Sequence, residues 1–217
     1  MLKKKFLLIL FIPILLAACG YHQITADTFP WMSDEEILFR DDFSHQSGGW
    51  NTFEDTLSYS GYFQGGFRLK TDVANYQIWS VPDLNFKDAQ IFVQAEKIGG
   101  KDNNLFGLLC RFQDDSNYYA FVISSDGYFG IYEKLYGELE LIDQRHMDFS
   151  PEIKRGRAIN HIQAVCQGKN LVLSVNDVLL LQVQDDSITY GDVGLIVGNL
   201  SDGGVDILFD HFIVVKR

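Results

Sequence analysis

The chain has 217 residues, with 29 Asp or Glu against 18 Lys or Arg, and a formal net charge of −11. That balance excludes the basic footprint that nucleic-acid binding demands, and it offers an anionic lipid surface nothing to attract. The length suits one domain with a real core, and all-β domains of this size are common.

Met1-Leu2-Lys3-Lys4-Lys5 is a basic start, and residues 6–16 form an apolar run broken only by Pro13. A basic segment before a short apolar one reads as a secretory signal. The run is too short for a membrane span, which needs about 20 residues. Leu16-Ala17-Ala18-Cys19-Gly20 then resembles a lipobox, the processing signal of bacterial lipoproteins. The resemblance implies cleavage after Ala18 and a diacylglyceryl thioether on Cys19, with the lipid bilayer as partner. Each buried CH₂ contributes about 0.8 kcal/mol, and a single acyl chain anchors only marginally, so two or three chains are what hold a protein in place. Residues 1–18 are read as a lipoprotein signal peptide, 19–34 as the lipidated cysteine and a tether, and 35–217 as the folded domain. The expected address is extracytoplasmic, on the cell membrane or an outer membrane. Because the removed segment carries three lysines and no acid, the remainder is more acidic still.

From residue 37 onward, nearly every segment reads as a short strand ending in a turn. The expected strands are 37–43, 62–71, 76–81, 89–98, 105–113, 118–124, 128–135, 138–146, 159–167, 171–175, 178–184, 192–197 and 205–215. They are rich in Val, Ile, Phe and Tyr, as strands are. In 89–98 the alternation places Ala89, Ile91, Val93 and Ala95 on one face. Asp126-Gly127 and Asn176-Asp177 sit at hairpin spacing, where a positive φ is needed. No stretch keeps a helical period, so the reading is a β-sandwich or barrel. Cys110 and Cys166, both in expected strands, form an even pair in an exported chain and point to a disulfide.

Three stretches carry a family resemblance. Leu38-Phe39-Arg40-Asp41-Asp42-Phe43-Ser44 with Gly49-Trp50 resembles the opening of concanavalin A-like lectin/glucanase jelly rolls. The run from Asn103 to Phe121, containing Leu108-Leu109-Cys110-Arg111-Phe112, is similar to laminin-G-like and 3-keto-disaccharide hydrolase-like domains of bacterial lipoproteins. Gly191-Asp192-Val193-Gly194-Leu195 and Leu208-Phe209-Asp210-His211-Phe212 resemble their closing strands. The resemblance implies a jelly-roll sandwich of two antiparallel sheets in which the first and last strands pair. It also implies a bent sheet whose concave face binds sugar, and a structural calcium at Asp42 and Asp210. Calcium takes six to eight oxygens, so backbone and water must complete that set; the alternative role for both residues is hydrogen bonding at strand ends.

Candidate chemistry is sparse. Glu138-Leu139-Glu140-Leu141-Ile142-Asp143 resembles the acid-bearing strand of laminarinase-type glucanases, with Glu and Asp exchanged at two key positions; the plainer reading is a solvated hairpin face. There is no G-x-S-x-G elbow, H-E-x-x-H or P-loop. Trp50, Tyr76, Trp79, Tyr118, Tyr119, Tyr128, Phe129 and Tyr132 are the rings on which a sugar can stack, most of them also suited to the core. Arg111, in a central strand, must reach solvent or a carboxylate; on a concave face beside Trp79 and Tyr119 it would hold a sugar hydroxyl or carboxylate. His161 shares a face with Gln163. Trp79, Arg111, Tyr119 and His161 are the candidate ligand residues of a non-catalytic module for a glycan or another ligand. A glycoside-active enzyme and a structural or partner-binding envelope protein are the alternatives.

Overall fold

In a computed structural model of the protein, residues 36–200 and 203–217 are described. Cys19, the signal peptide and the tether lie outside the described residues. In chain order the first strands are β1 (Ile37–Asp41), β2 (Phe53–Glu54), β3 (Ser58–Phe63), β4 (Gly66–Thr71), β5 (Tyr76–Ser80), β6 (Ala89–Gly100), β7 (Asn104–Asp114) and β8 (Asn117–Ile123). They are followed by β9 (Tyr128–Leu135), β10 (Glu138–Leu141), β11 (Asp148–Phe149), β12 (Ile159–Gln167), β13 (Asn170–Val175), β14 (Val178–Gln184), β15 (Asp192–Asn199) and β16 (Val205–Val215).

These strands form two antiparallel sheets. One has nine strands in the order β14-β13-β12-β6-β16-β4-β3-β2, with β1 also on β16. The other has seven in the order β10-β9-β8-β7-β15-β5, with β11 on β9. The first and last strands do pair, Asp41 opposite Phe212 and Phe39 opposite Val214. The architecture is the all-β, concanavalin A-like jelly roll that the sequence predicts.

Alternation builds the core. Ala89, Ile91, Val93 and Ala95 of β6 turn inward and are almost fully buried. They meet Phe106, Leu108 and Cys110 of β7 and Tyr119, Phe121 and Ile123 of β8 from the facing sheet. The Asp41-Asp42-Phe43…Trp50 stretch closes one end. Asp41 accepts from the Phe43 amide at 2.7 Å and from the Trp50 indole at 2.9 Å. Those bonds seat Trp50 against Phe43, Phe67 and Phe212 with ring centroids 4.9–5.4 Å apart.

The short strands β2 and β11 were not expected, several strand ends shift by one or two residues, and two expected strands differ more. Residues 62–71 are not one strand: Gln64 (φ 50°) and Gly65 (φ 83°) turn the chain between β3 and β4. Gln64-Gly65-Gly66 is itself a turn signal, and the aromatic residues on either side of it masked the break. The strand expected over 138–146 stops at Leu141, and Asp143 (φ 56°) turns the chain over the sheet. Asn176 (φ 50°) and Asp177 (φ 68°) form the two-residue hairpin as expected.

Cys110 of β7 and Cys166 of β12 are joined by a disulfide that links the two sheets through the core. Replacing both by alanine is expected to lower stability by about 4 kcal/mol, the chain-entropy value for a loop of this size. Urea unfolding of oxidised wild type against the double variant measures it; coincident transitions would mean the bond contributes nothing.

Candidate functional site

A β-strand sends alternate side chains to opposite faces. In the seven-stranded sheet the residues between the core positions therefore form an outer face. It carries Trp79 of β5, Ile196 of β15, Leu105 and Leu109 of β7, and Tyr118, Ala120 and Val122 of β8. Four glycines share that alternation: Gly107, Gly130, Gly194 and Gly198. Over Gly130 the chain after β10 folds back, and a Cβ there would lie 2.7 Å from Leu141 Cδ2. Much of the outer face is thus covered by the protein itself, with Tyr118 fully buried.

One region stays open. A cleft of about 400 Å³ is bounded by Asn75, Tyr76, Gln77 and Trp79 on and beside edge strand β5, by Gly198, Asn199 and Leu200, and by Lys134 and Leu139 on the far side. Ligand clefts run from about 300 to 1,000 Å³, so this is a small one. Tyr76 stands at its rim, half exposed, and Trp79 is half-buried in its wall. The rings of Trp79, Phe112 and Tyr118 lie 5.8–6.1 Å apart and make an aromatic bed. Burial, aided by Asp115, pushes the Tyr118 phenol up to about 12, so it stays a donor; its hydroxyl donates to Gln77 Oε1 at 3.1 Å.

The four candidate ligand residues do not come together. Trp79 alone lines the cleft. Tyr119 sits on the core face of β8, fully buried, because its neighbour Tyr118 takes the outer face. Its hydroxyl donates to Asp185 and accepts from the Ile188 amide at 3.1 Å. Arg111 is also inside, 2% exposed, at a bulge with φ 53°. Its guanidinium donates to the carbonyls of Lys87 (3.1 Å), Ile188 (2.8 Å) and Gly168 (2.9 Å) and meets Asp88 at 3.5 Å. These contacts replace the solvent or ligand that the sequence reading gave it. His161 lies on the outer face of the nine-stranded sheet, since Ile162, Ala164 and Cys166 take the core side. Burial and then Lys154 hold its imidazole below the usual value.

Asp42 and Asp210 are near that second face. Asp210 forms an ion pair with His211 Nδ1 at 3.0 Å. That hydrogen-bonded pairing raises the imidazole despite burial, with Asp42 adding a smaller push. Burial opposes ionisation of Asp42, but bonds from the Ser44 hydroxyl and amide outweigh it and hold its carboxyl low. Among the described residues no group of three or more His, Cys, Asp or Glu is placed to hold a metal.

Leu139 points into the cleft, so Glu138 and Glu140 on either side of it point away. Glu133 likewise faces away from the cleft, because the next residue, Lys134, lines it. Burial raises the Glu133 carboxyl, and Asp185 beside it adds to the shift. Sequence reasoning named Trp79 and Tyr76 but missed Asn75, Gln77, Lys134 and Asn199. Their signal was weak: polar residues on alternate strand positions look solvated until the tertiary fold brings strands distant in sequence around one hollow.

No family model matches the chain, and no curated protein matches it. Solved structures do share the fold. The carbohydrate-binding module CBM66 from Bacillus subtilis superposes with a TM-score of 0.62 at 16% identity, over 79% of this chain and 98% of that one. A Bacillus subtilis protein of unknown function with a galectin-like fold gives 0.61 at 13% identity, over 84% and 98%. The Bacteroides ovatus mixed linkage glucan GH16 protein, solved in complex with a product, gives 0.56 at 13% identity, over 82% and 100%. At such identities the likeness is one of fold.

Asp192, at the start of β15, is 6% exposed, and burial pushes its carboxyl up to about 6 against the amide donors of Val193, Leu84 and Asp83. An unfolded aspartate titrates near 3.9. The folded group thus holds its proton more tightly. Its contribution favours the fold below pH 4 and is lost as pH rises through about 6. Asp192→Asn is expected to gain stability relative to wild type between pH 4 and 7, by at most about 3 kcal/mol. Chemical unfolding of both proteins across that range checks it; a pH-independent difference would refute the assignment.

Proposed function

We propose that this chain is a glycan-binding module, held at a membrane surface by a lipid on Cys19, that takes its ligand in the cleft beside edge strand β5. The observation that carries the reading is the joining, in one small hollow bounded also by Asn75, Tyr76 and Asn199, of the Trp79 ring with the side-chain amide of Gln77 on the same strand face. Sugars present an apolar C–H face to a ring and hydroxyls around their edge. Aromatic walls with a few well-placed polar groups are what such a ligand requires. The shared fold with a carbohydrate-binding module and a GH16 protein supports the same reading.

Within this reading the module is non-catalytic. Cleaving a glycosidic bond by the two-carboxyl route needs acids about 5–5.5 Å or 6.5–9.5 Å apart across the bond. Among the described residues the cleft is bounded instead by amides, rings, two leucines and one ammonium. The alternative, a glycoside-active enzyme of the 3-keto-disaccharide hydrolase-like kind, requires acids reaching a groove.

Screening the full chain on an array of neutral and acidic glycans, with calorimetry on the hits, tests the proposal. At least one glycan should bind, and Trp79→Ala should weaken it ten-fold or more. Gly198→Val should block binding by filling the hollow, where an added Cβ lies 3.1 Å from Gln77 Cγ and 3.5 Å from Leu105 Cβ, with unfolding curves showing that the variant is folded. Silence across the array would sink the glycan reading; hydrolysis of a bound glycan would favour the enzyme. Separately, Cys19→Ala should move the protein out of the membrane fraction, and continued membrane association would count against the lipid anchor.

A further inference from the structure

We infer that the cleft is built for a sugar bearing an anionic group, with Lys134 taking the charge and Gln77 the neighbouring hydroxyl. This rests on the glycan-binding reading of the same cleft and narrows it to a ligand class.

Among the described residues Lys134 is the one charged side chain lining the cleft. On a chain with 29 acids and 18 Lys or Arg, a hollow whose described lining holds a cation and no carboxylate departs from the character of the molecule. The ammonium is not spent on an ion pair with any described residue. It lies 5.5 Å from the centroid of the Tyr118 ring, over a face that holds it in place without neutralising it. Adjacent acids do not reach it from the same side: Glu133 precedes it and faces away, and Glu138 and Glu140 alternate with Leu139, which faces the cleft.

Gln77 supplies the polar partner on the same strand face as Trp79. Its Oε1 accepts from Tyr118, so its Nε2 remains to donate to a hydroxyl or to the anionic group. One ammonium and one amide N–H beside an aromatic wall match a sugar that carries a carboxylate or a sulfate beside a hydroxyl.

The test uses matched pairs on the full chain. Oligogalacturonides are compared with their carboxyl-reduced counterparts, and sulfated galactans with their desulfated forms. Calorimetry is expected to show the acidic member of at least one pair binding ten-fold or more tightly, which also separates carboxylate from sulfate. Lys134→Gln should bring that ratio close to one while sparing the neutral sugar, and Lys134→Arg should retain the preference. Gln77→Ala should weaken acidic and neutral members alike, with unfolding curves confirming that the variant is folded. Equal binding of the pair members, or a ratio unmoved by Lys134→Gln, overturns this inference and leaves the glycan-binding reading standing. If neither acidic nor neutral sugars bind here or on the wider array, both fall together.

Discussion

One buried cation organises an end of this sandwich. A guanidinium taken from water must find partners for its charge and its N–H groups, or it costs several kcal/mol. Arg111 finds them in the carbonyls of Lys87, Gly168 and Ile188 and in the carboxylate of Asp88. Those partners come from three separate connections, before β6, between β12 and β13, and after β14. Asp88 also accepts from the Gly168 amide at 2.8 Å, so the loops are tied to one another as well as to the arginine. The next residue back, Cys110, is bonded to Cys166 across the core. Clamp and staple therefore act from adjacent positions of β7, and both sheets are held in register at that point.

With the sheets so held, the outer face of the seven-stranded sheet can vary without cost to the core. The sequence fills part of it with Leu105, Leu109, Ile196 and Tyr118, and drapes the segment after β10 across Gly130. What is left is the hollow beside β5, where Gly198 contributes no side chain and Tyr118, buried below, fixes the amide of Gln77. A small cleft at a sheet edge suits the end or a single unit of a chain-like ligand more than a long stretch. The opposite face carries Asp42, Asp210, His211 and His161, with Asp210 ion-paired to His211 and Asp42 held by Ser44.

The residue patterns were good guides to strands and poor guides to faces of chemistry. Alternation in 89–98 correctly named the four core side chains of β6, because the period of two is a property of the backbone itself. The same rule, applied to Tyr118 and Tyr119, could say only that they oppose one another. Which of them faces the core depends on where the facing sheet lies, and the choice of Tyr119 as a ligand residue failed on that point. Arg111 failed differently: a bulge with positive φ removed it from simple alternation, and its partners lie 23 to 77 residues away.

By itself, the sequence determined the all-β class, the hairpin at Asn176-Asp177, the pairing of Cys110 with Cys166 and the jelly-roll resemblance of its opening and closing strands. The first three follow from local backbone preference, side-chain period or the counting of cysteines, and the last from the likeness of those segments to a known family; none needs a third dimension. Only the tertiary structure decided which side of each strand meets solvent. It alone gathered Asn75, Gln77, Trp79, Lys134 and Asn199, drawn from strands and turns far apart in the chain, around one hollow. Such a site is made by the order and curvature of strands in a sheet, and that order is set by the packing of the whole core rather than by any segment within it.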